Sequence, residues 1–200
     1  MRPALPALLV AAVGFLALGG ATDGFRAFTS EQARRLEVLD RPKAPPAVVL
    51  EDQDGRLFRL SDYAGRIVLV DFVYIQCRSL CRVAGAQVQG LARSLAGEGL
   101  ANRTMVVTIS FDPARDTPEV LRAQGRKLGA DPARWRIARP ADPAQVDTLL
   151  DAFGIVAIPD GRGEFQHNGA VHLLDRSGRL AAIFDYEARD DILRAVRNHS

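Results

Sequence analysis

Residues 66–75, RIVLVDFVYI, form a nearly unbroken run of β-branched and apolar side chains, and the chain then places Cys77 and, four positions on, Cys81. A run this apolar suits a central strand covered on both faces. After Cys81 the period changes. Val83, Ala86, Leu91 and Leu95 recur at helical spacing, and the segment stops at glycine. The local order is therefore strand, cysteine pair, helix. In an open α/β sheet, chemistry collects outside the carboxyl end of a strand, where the next helix begins. Both cysteines fall there, and the chain has no others.

The surrounding elements extend this unit. VVLEDQDGRLFRL (48–60) reads as a hairpin closed by a D-G turn, and RTMVVTIS (103–110) as a second buried strand. DTPEVLRAQGRKLG (116–129) opens a helix with Pro118 at its first position and Asp116–Thr117 as its cap. ADPAQVDTLLDAFG (141–154) repeats that device with Asp142, Pro143 and a terminal Gly154. GAVHLLDRSGRLAAIFD (169–185) is strand, S-G turn, strand, and RDDILRAVRNHS is a terminal helix. The predicted order is hairpin, β, α, β, α, α, β-hairpin, α. It points to an α/β chain of thioredoxin-like fold: a central mixed sheet flanked by helices, with an extra N-terminal β-hairpin. Trp135, the only tryptophan, is expected in or near the core.

The N-terminus bounds where the protein works. Arg2 is followed by twenty residues without charge, up to Asp23. Residues 1–22 read as a signal peptide, with Gly19 and Ala21 as the small residues before a cut, or as an N-terminal membrane anchor. The apolar run is followed by no cysteine, which argues against a lipid-anchored form. Residues 23–43 hold a short helix (28–39), with Thr29 and Gln32 as a capping box, and the start of a proline-rich linker. The folded domain is expected over 44–200. An exported domain meets oxidising conditions, in which a thiol pair can be oxidised. Net charge is only +2 and the arginines are scattered, which excludes a dedicated nucleic-acid binder.

The cysteine pair admits three readings: a structural disulfide, a redox couple, or two metal ligands. A spacing of four sets the two thiols about one helical turn apart. Amides at a helix start favour thiolate, and Arg78 and Arg82 add positive charge beside the pair. A disulfide across one turn closes a tiny loop and stabilises little. Peroxidases of such a fold carry proline and threonine close before the attacking cysteine, and YIQC has neither. Cu(I) accepts two or three soft ligands, whereas structural zinc wants four. Of the three histidines, His199 lies at the chain end. His167 and His172 are five apart, so on one regular strand they face opposite sides. His172 sits in the apolar run and reads as a packed strand residue. His167 precedes the strand, after the loop IPDGRGEFQ, where ligands are usually carried.

Three stretches, VDFVYIQCRSLC, TISFDPARDTPEVL and HNGAVHLLDRSGRL, together resemble the signature regions of the Sco/SenC proteins, over about residues 45–197. CRVAG resembles a divergent branch of that family. The resemblance implies an exported, membrane-tethered copper protein of thioredoxin-like fold that assists assembly of the copper centre of cytochrome c oxidase. It implies Cys77 and Cys81 as thiolate ligands and His167 as the imidazole ligand. Asp112 becomes a candidate to orient the site from behind the ligands. The implied cofactor is copper, and turnover catalysis is not implied. The implied partners are cytochrome c oxidase subunit II or another exported cuproprotein, other copper carriers, and the membrane through the N-terminal segment. The implied location is the bacterial periplasm, anchored or secreted after cleavage. A thiol–disulfide oxidoreductase that keeps client cysteines reduced for metal loading stands beside this reading; it uses the same pair and does not need His167.

Overall fold

The computed structural model describes residues 4–22, 24–76 and 80–199, with the backbone alone for 4–7 and 80–82. The chain divides into two compact units, Met1–Pro42 and Lys43–Ser200. The first holds α1 (Ala4–Ala21) and α2 (Ser30–Asp40). The Thr29 hydroxyl caps α2 by accepting from the Gln32 amide, and the Gln32 side chain reaches back to the Phe28 amide. Among the described residues no helix is long and apolar enough to cross a membrane.

The second unit runs β1 (Leu50–Asp52), β2 (Leu57–Phe58), β3 (Ile67–Val73), α3 (Leu80–Gly97), β4 (Thr104–Ser110), α4 (Pro118–Leu128), β5 (Trp135–Pro140), α5 (Val146–Phe153), β6 (Ala157–Pro159), β7 (Phe165–His167), β8 (Val171–Leu174), β9 (Leu180–Phe184) and α6 (Arg189–His199). Seven strands form one sheet in the order β2-β1-β5-β4-β3-β8-β9, and β6 and β7 form a separate pair. Strands β3, β4 and β5 are parallel; β8, β9, β1 and β2 join antiparallel. Every residue of β3 and of β4 is buried, as expected of strands covered on both faces. On one face, Ile67 and Leu69 pack with Val88, Leu91 and Leu95 of α3 and with Ile192, Leu193 and Val196 of α6. On the other, Phe72 meets Phe153 of α5 and His172 of β8.

Strand β5 stands where no strand is predicted. Its sequence, WRIARP, shows no clean alternation because its arginines are put to structural use. The Arg139 guanidinium pairs with Glu51, and that of Arg136 approaches Asp52 at 3.4 Å and lies over the Phe58 ring. Two polar side chains thus fasten β5 to the β1–β2 edge while Trp135, Ile137 and Ala138 enter the core.

The central strand buries an ionisable residue. Asp71 of β3 is fully buried, accepts a hydrogen bond from the Thr108 hydroxyl at 2.6 Å, and Thr108 in turn accepts from the Trp135 indole N–H. Burial pushes its carboxyl up to about 7. A folded pKa above the unfolded value makes the folded state bind the proton more tightly. The stabilisation is complete below the unfolded pKa and is lost as pH rises through the folded one. Stability to urea is therefore expected to fall between about pH 4 and pH 7, by on the order of 4 kcal/mol from this group. Asp71→Asn should remove that slope, and an unchanged slope would count against the assignment.

Candidate metal centre

The carboxyl ends of β3 and β4 build the floor of the site. The Phe111 amide bonds to the Val73 carbonyl, which keeps the two chains together just past the strands. Asp116 completes the join. Its Oδ2 accepts from the Ile75 amide at 2.9 Å and from the Ser110 hydroxyl at 2.5 Å, and the side chain is fully buried. Desolvation raises its carboxyl above the usual range, against the lowering effect of those two bonds. Asp116 is thus a clamp between strands and not the helix cap that its position before Thr117–Pro118 predicts. Thr117 does take the N-cap conformation, without a side-chain bond to the α4 amides.

His167 is the last residue of β7. The predicted loop before it is instead a hairpin: Ala157 pairs with His167, Ile158 with Gln166 and Pro159 with Phe165. Asp160 Oδ1 accepts from the Arg162 and Glu164 amides and closes the turn. Asn168 fixes the base, accepting from the Val156 amide and donating to the Gly154 carbonyl. The two strands are three residues each and half exposed, so they leave little trace in hydropathy.

The His167 ring is half-buried against aromatic walls. Its centroid lies 5.1 Å from Phe111 and 6.0 Å from Tyr74, and both rings also touch Phe165. Desolvation by these walls lowers its pKa and favours the neutral imidazole. Nδ1 lies 3.1 Å from the Asn168 carbonyl oxygen. A carbonyl only accepts, so this contact assigns the proton to Nδ1 and leaves the lone pair on Nε2. A neutral ring with one nitrogen bonded to backbone and the other free is what a metal-binding histidine requires.

A cleft of about 230 Å³ joins this ring to the helix after the cysteines. Its lining includes Val73 at the end of β3, Val83 and Ala84 in the early turns of α3, His167, and Tyr186. Cys81 lies in the first turn of α3, two residues before Val83. The Cys81 side chain, and Cys77 and Arg78 altogether, lie outside the described residues. Among the described residues no group of three His, Cys, Asp or Glu side chains converges as a metal cluster.

Asp112 is nearly buried, and its carboxylate is held by the Arg115 guanidinium. Arg115 also donates to the Gly163 carbonyl at 2.5 Å and lies over the Phe165 ring. His199 ends α6 and is exposed. His172 faces away from α3, fully buried, with its ring edge-on to Phe72 and Phe153. It alternates along β8 with Val171 and Leu173, which belong to the α3 face. His172→Ala should cost on the order of 3 kcal/mol in urea unfolding and leave metal binding intact. Loss of metal in this variant would overturn the division of roles between the two histidines. Sequence reasoning passed over Asn168, Arg115, Tyr74 and Phe165. The H-N-G step and the D-P-x-x-D-T-P stretch hint at Asn168 and Arg115, and neither contains Tyr74 or Phe165.

The fold and this site define a thioredoxin-like α/β domain with a neutral imidazole beside the helix that follows its central strand. The sequence pattern of the SCO1/SenC family matches residues 41–199, and the chain belongs to that family. The SCO1 protein homolog of Bacillus subtilis is 24% identical over 157 residues, which cover 75% of this chain and 79% of the relative. Among solved structures, Bradyrhizobium japonicum ScoI with copper bound superposes with a TM-score of 0.66 at 20% identity, covering 78% of this chain and 99% of that one. BsSco, described as a member of the Sco family of cytochrome c oxidase assembly proteins with a disulfide switch, gives 0.71 at 19% identity, covering 80% and 94%.

Proposed function

We propose that this chain is an exported copper carrier. Thiolates at Cys77 and Cys81 and the Nε2 lone pair of His167 hold Cu(I), which passes by ligand exchange to an exported cuproprotein such as cytochrome c oxidase subunit II. The observation that carries this reading is the state of His167: neutral by burial, its proton committed to the Asn168 carbonyl, its ring lining a cleft with the first turns of α3. Two thiolates and one imidazole suit Cu(I), which favours soft ligands and low coordination. The Phe111 and Tyr74 rings pack beside the imidazole, 5.1 and 6.0 Å away, and hold it in an apolar setting. A copper-bound relative and membership in the SCO1/SenC family point the same way. Residues 1–22 serve as leader or anchor to the bacterial periplasm, 23–43 as helix and linker, and 44–200 as the working domain.

A second reading has its own support. A relative is described by a disulfide switch, and a C-x-x-x-C pair at a helix start is suited to thiol exchange. The same pair then keeps client thiols reduced, and oxidation of the pair abolishes the metal site. The deciding experiment reduces the chain, adds Cu(I) without oxygen against a competing chelator, and counts bound copper. One tightly held ion per chain is expected. No uptake, with a reversible Cys77–Cys81 disulfide, would transfer the function to the reductase reading.

A further inference from the structure

The stretch Asp112–Thr117 holds the two segments that carry the proposed ligands, and it holds each by a different side chain. Asp116 accepts the Ile75 amide, two residues before Cys77, and ties it to Ser110 at the end of β4. Four residues before Asp116 in the same loop, Asp112 orients Arg115, whose guanidinium reaches across to the hairpin of His167. There it bonds the Gly163 carbonyl and covers Phe165, two residues before His167. The seat is shaped for it. Gly163 has φ +89°, a conformation that favours glycine, and a Cβ at that position would approach the Arg115 nitrogen to 3.2 Å.

Fold stability alone does not account for this arrangement. Asp116 Oδ2 takes both hydrogen bonds, while its Oδ1 is buried with no partner among the described residues. An unsatisfied buried acceptor is destabilising.

We propose that Arg115 and Asp116 are positioning residues of the copper site: Arg115 sets the imidazole and Asp116 sets the thiol pair, so one rigid loop fixes the distance between them. This rests on the copper reading above. Positioning by partners behind the ligands is worth about 10- to 100-fold in metal affinity. The two residues are also separable, because the disulfide of Cys77 and Cys81 does not involve His167.

The test uses the reduced full chain, Cu(I) with a competing chelator, and the Cys77–Cys81 equilibrium against a glutathione buffer. Arg115→Gln should weaken Cu(I) binding about 10- to 100-fold and leave the disulfide equilibrium unchanged. In the His167→Ala background it should weaken binding no further, the non-additivity expected of residues acting through one group. Asp116→Ala should shift both Cu(I) affinity and the disulfide equilibrium, each by about tenfold or more. Ser110→Ala, which spares the bond to Ile75, should lower the melting temperature and move neither. An Arg115→Gln loss that persists in full without His167, or a fall in melting temperature with unchanged Cu(I) affinity in Arg115→Gln or Asp116→Ala, would overturn the proposal. A wild-type chain that takes up no Cu(I) defeats the copper reading instead. The disulfide then decides: a shift with Asp116→Ala supports the clamp on the thiol pair, and a shift with Arg115→Gln refutes the division.

Discussion

Chains carrying Cys77→Ser or Cys81→Ser are expected to bind no Cu(I) at an affinity that competes with a chelator, and to form no intramolecular disulfide. A serine hydroxyl is a hard, neutral donor where a soft thiolate is needed. With one thiolate gone, a three-ligand site falls to one thiolate and one imidazole, and the redox couple has no second sulfur. Both readings of the pair therefore fail together. The measurement is copper stoichiometry by competition, read beside free-thiol counts before and after oxidation. Retention of tight copper by either serine variant would mean that the ion is held elsewhere.

His167→Ala separates what the cysteine variants confound. Cu(I) affinity is expected to fall by more than about 100-fold, beyond the range for a partner that only orients a ligand. The disulfide equilibrium of the pair should stay as in the parent chain, since no thiol loses a neighbour it needs. Because the ring is already neutral in the fold, the copper loss should persist with the same size from pH 7 to pH 8. A fall in reductase activity in His167→Ala, with copper binding intact, would reverse the assignment and give the histidine to thiol chemistry.

What the chain discloses in its sequence depends on how each element is stabilised. The β3–α3–β4 unit is readable because burial on both faces writes an unbroken apolar run, and the amphipathic α3 writes a period near four. α4 and α5 are readable from proline at the start and glycine at the end, where Gly129 and Gly154 adopt the left-handed conformation of a helix stop. β5 is hidden because its half-buried positions are arginines paired with Asp52 and Glu51 on another strand. The β6–β7 hairpin is hidden because its stability comes from the Asp160 turn, Asn168 and Arg115, contacts that follow no period. The candidate site divides in the same way. The burial of His172 could be read from its apolar run, but the spacing of five does not separate the two rings, because His167 lies on β7 and His172 on β8, in different sheets. The tautomer of His167 and the clamp made by Asp116 could not be read, because each depends on a backbone atom brought close only by the fold.

The hairpin that carries His167 shares no hydrogen-bond ladder with the seven-stranded sheet. The imidazole and the thiol-bearing helix therefore belong to frameworks that can separate at unequal cost. Pulling the hairpin outward leaves every rung of β3 and β4 in place and gives up ring contacts, the Tyr74 hydroxyl bond to the Phe165 carbonyl and the Arg115 bridge. Under the copper reading proposed above, His167 would be the ligand surrendered first, leaving the ion on the two thiolates while an acceptor's ligand took its place.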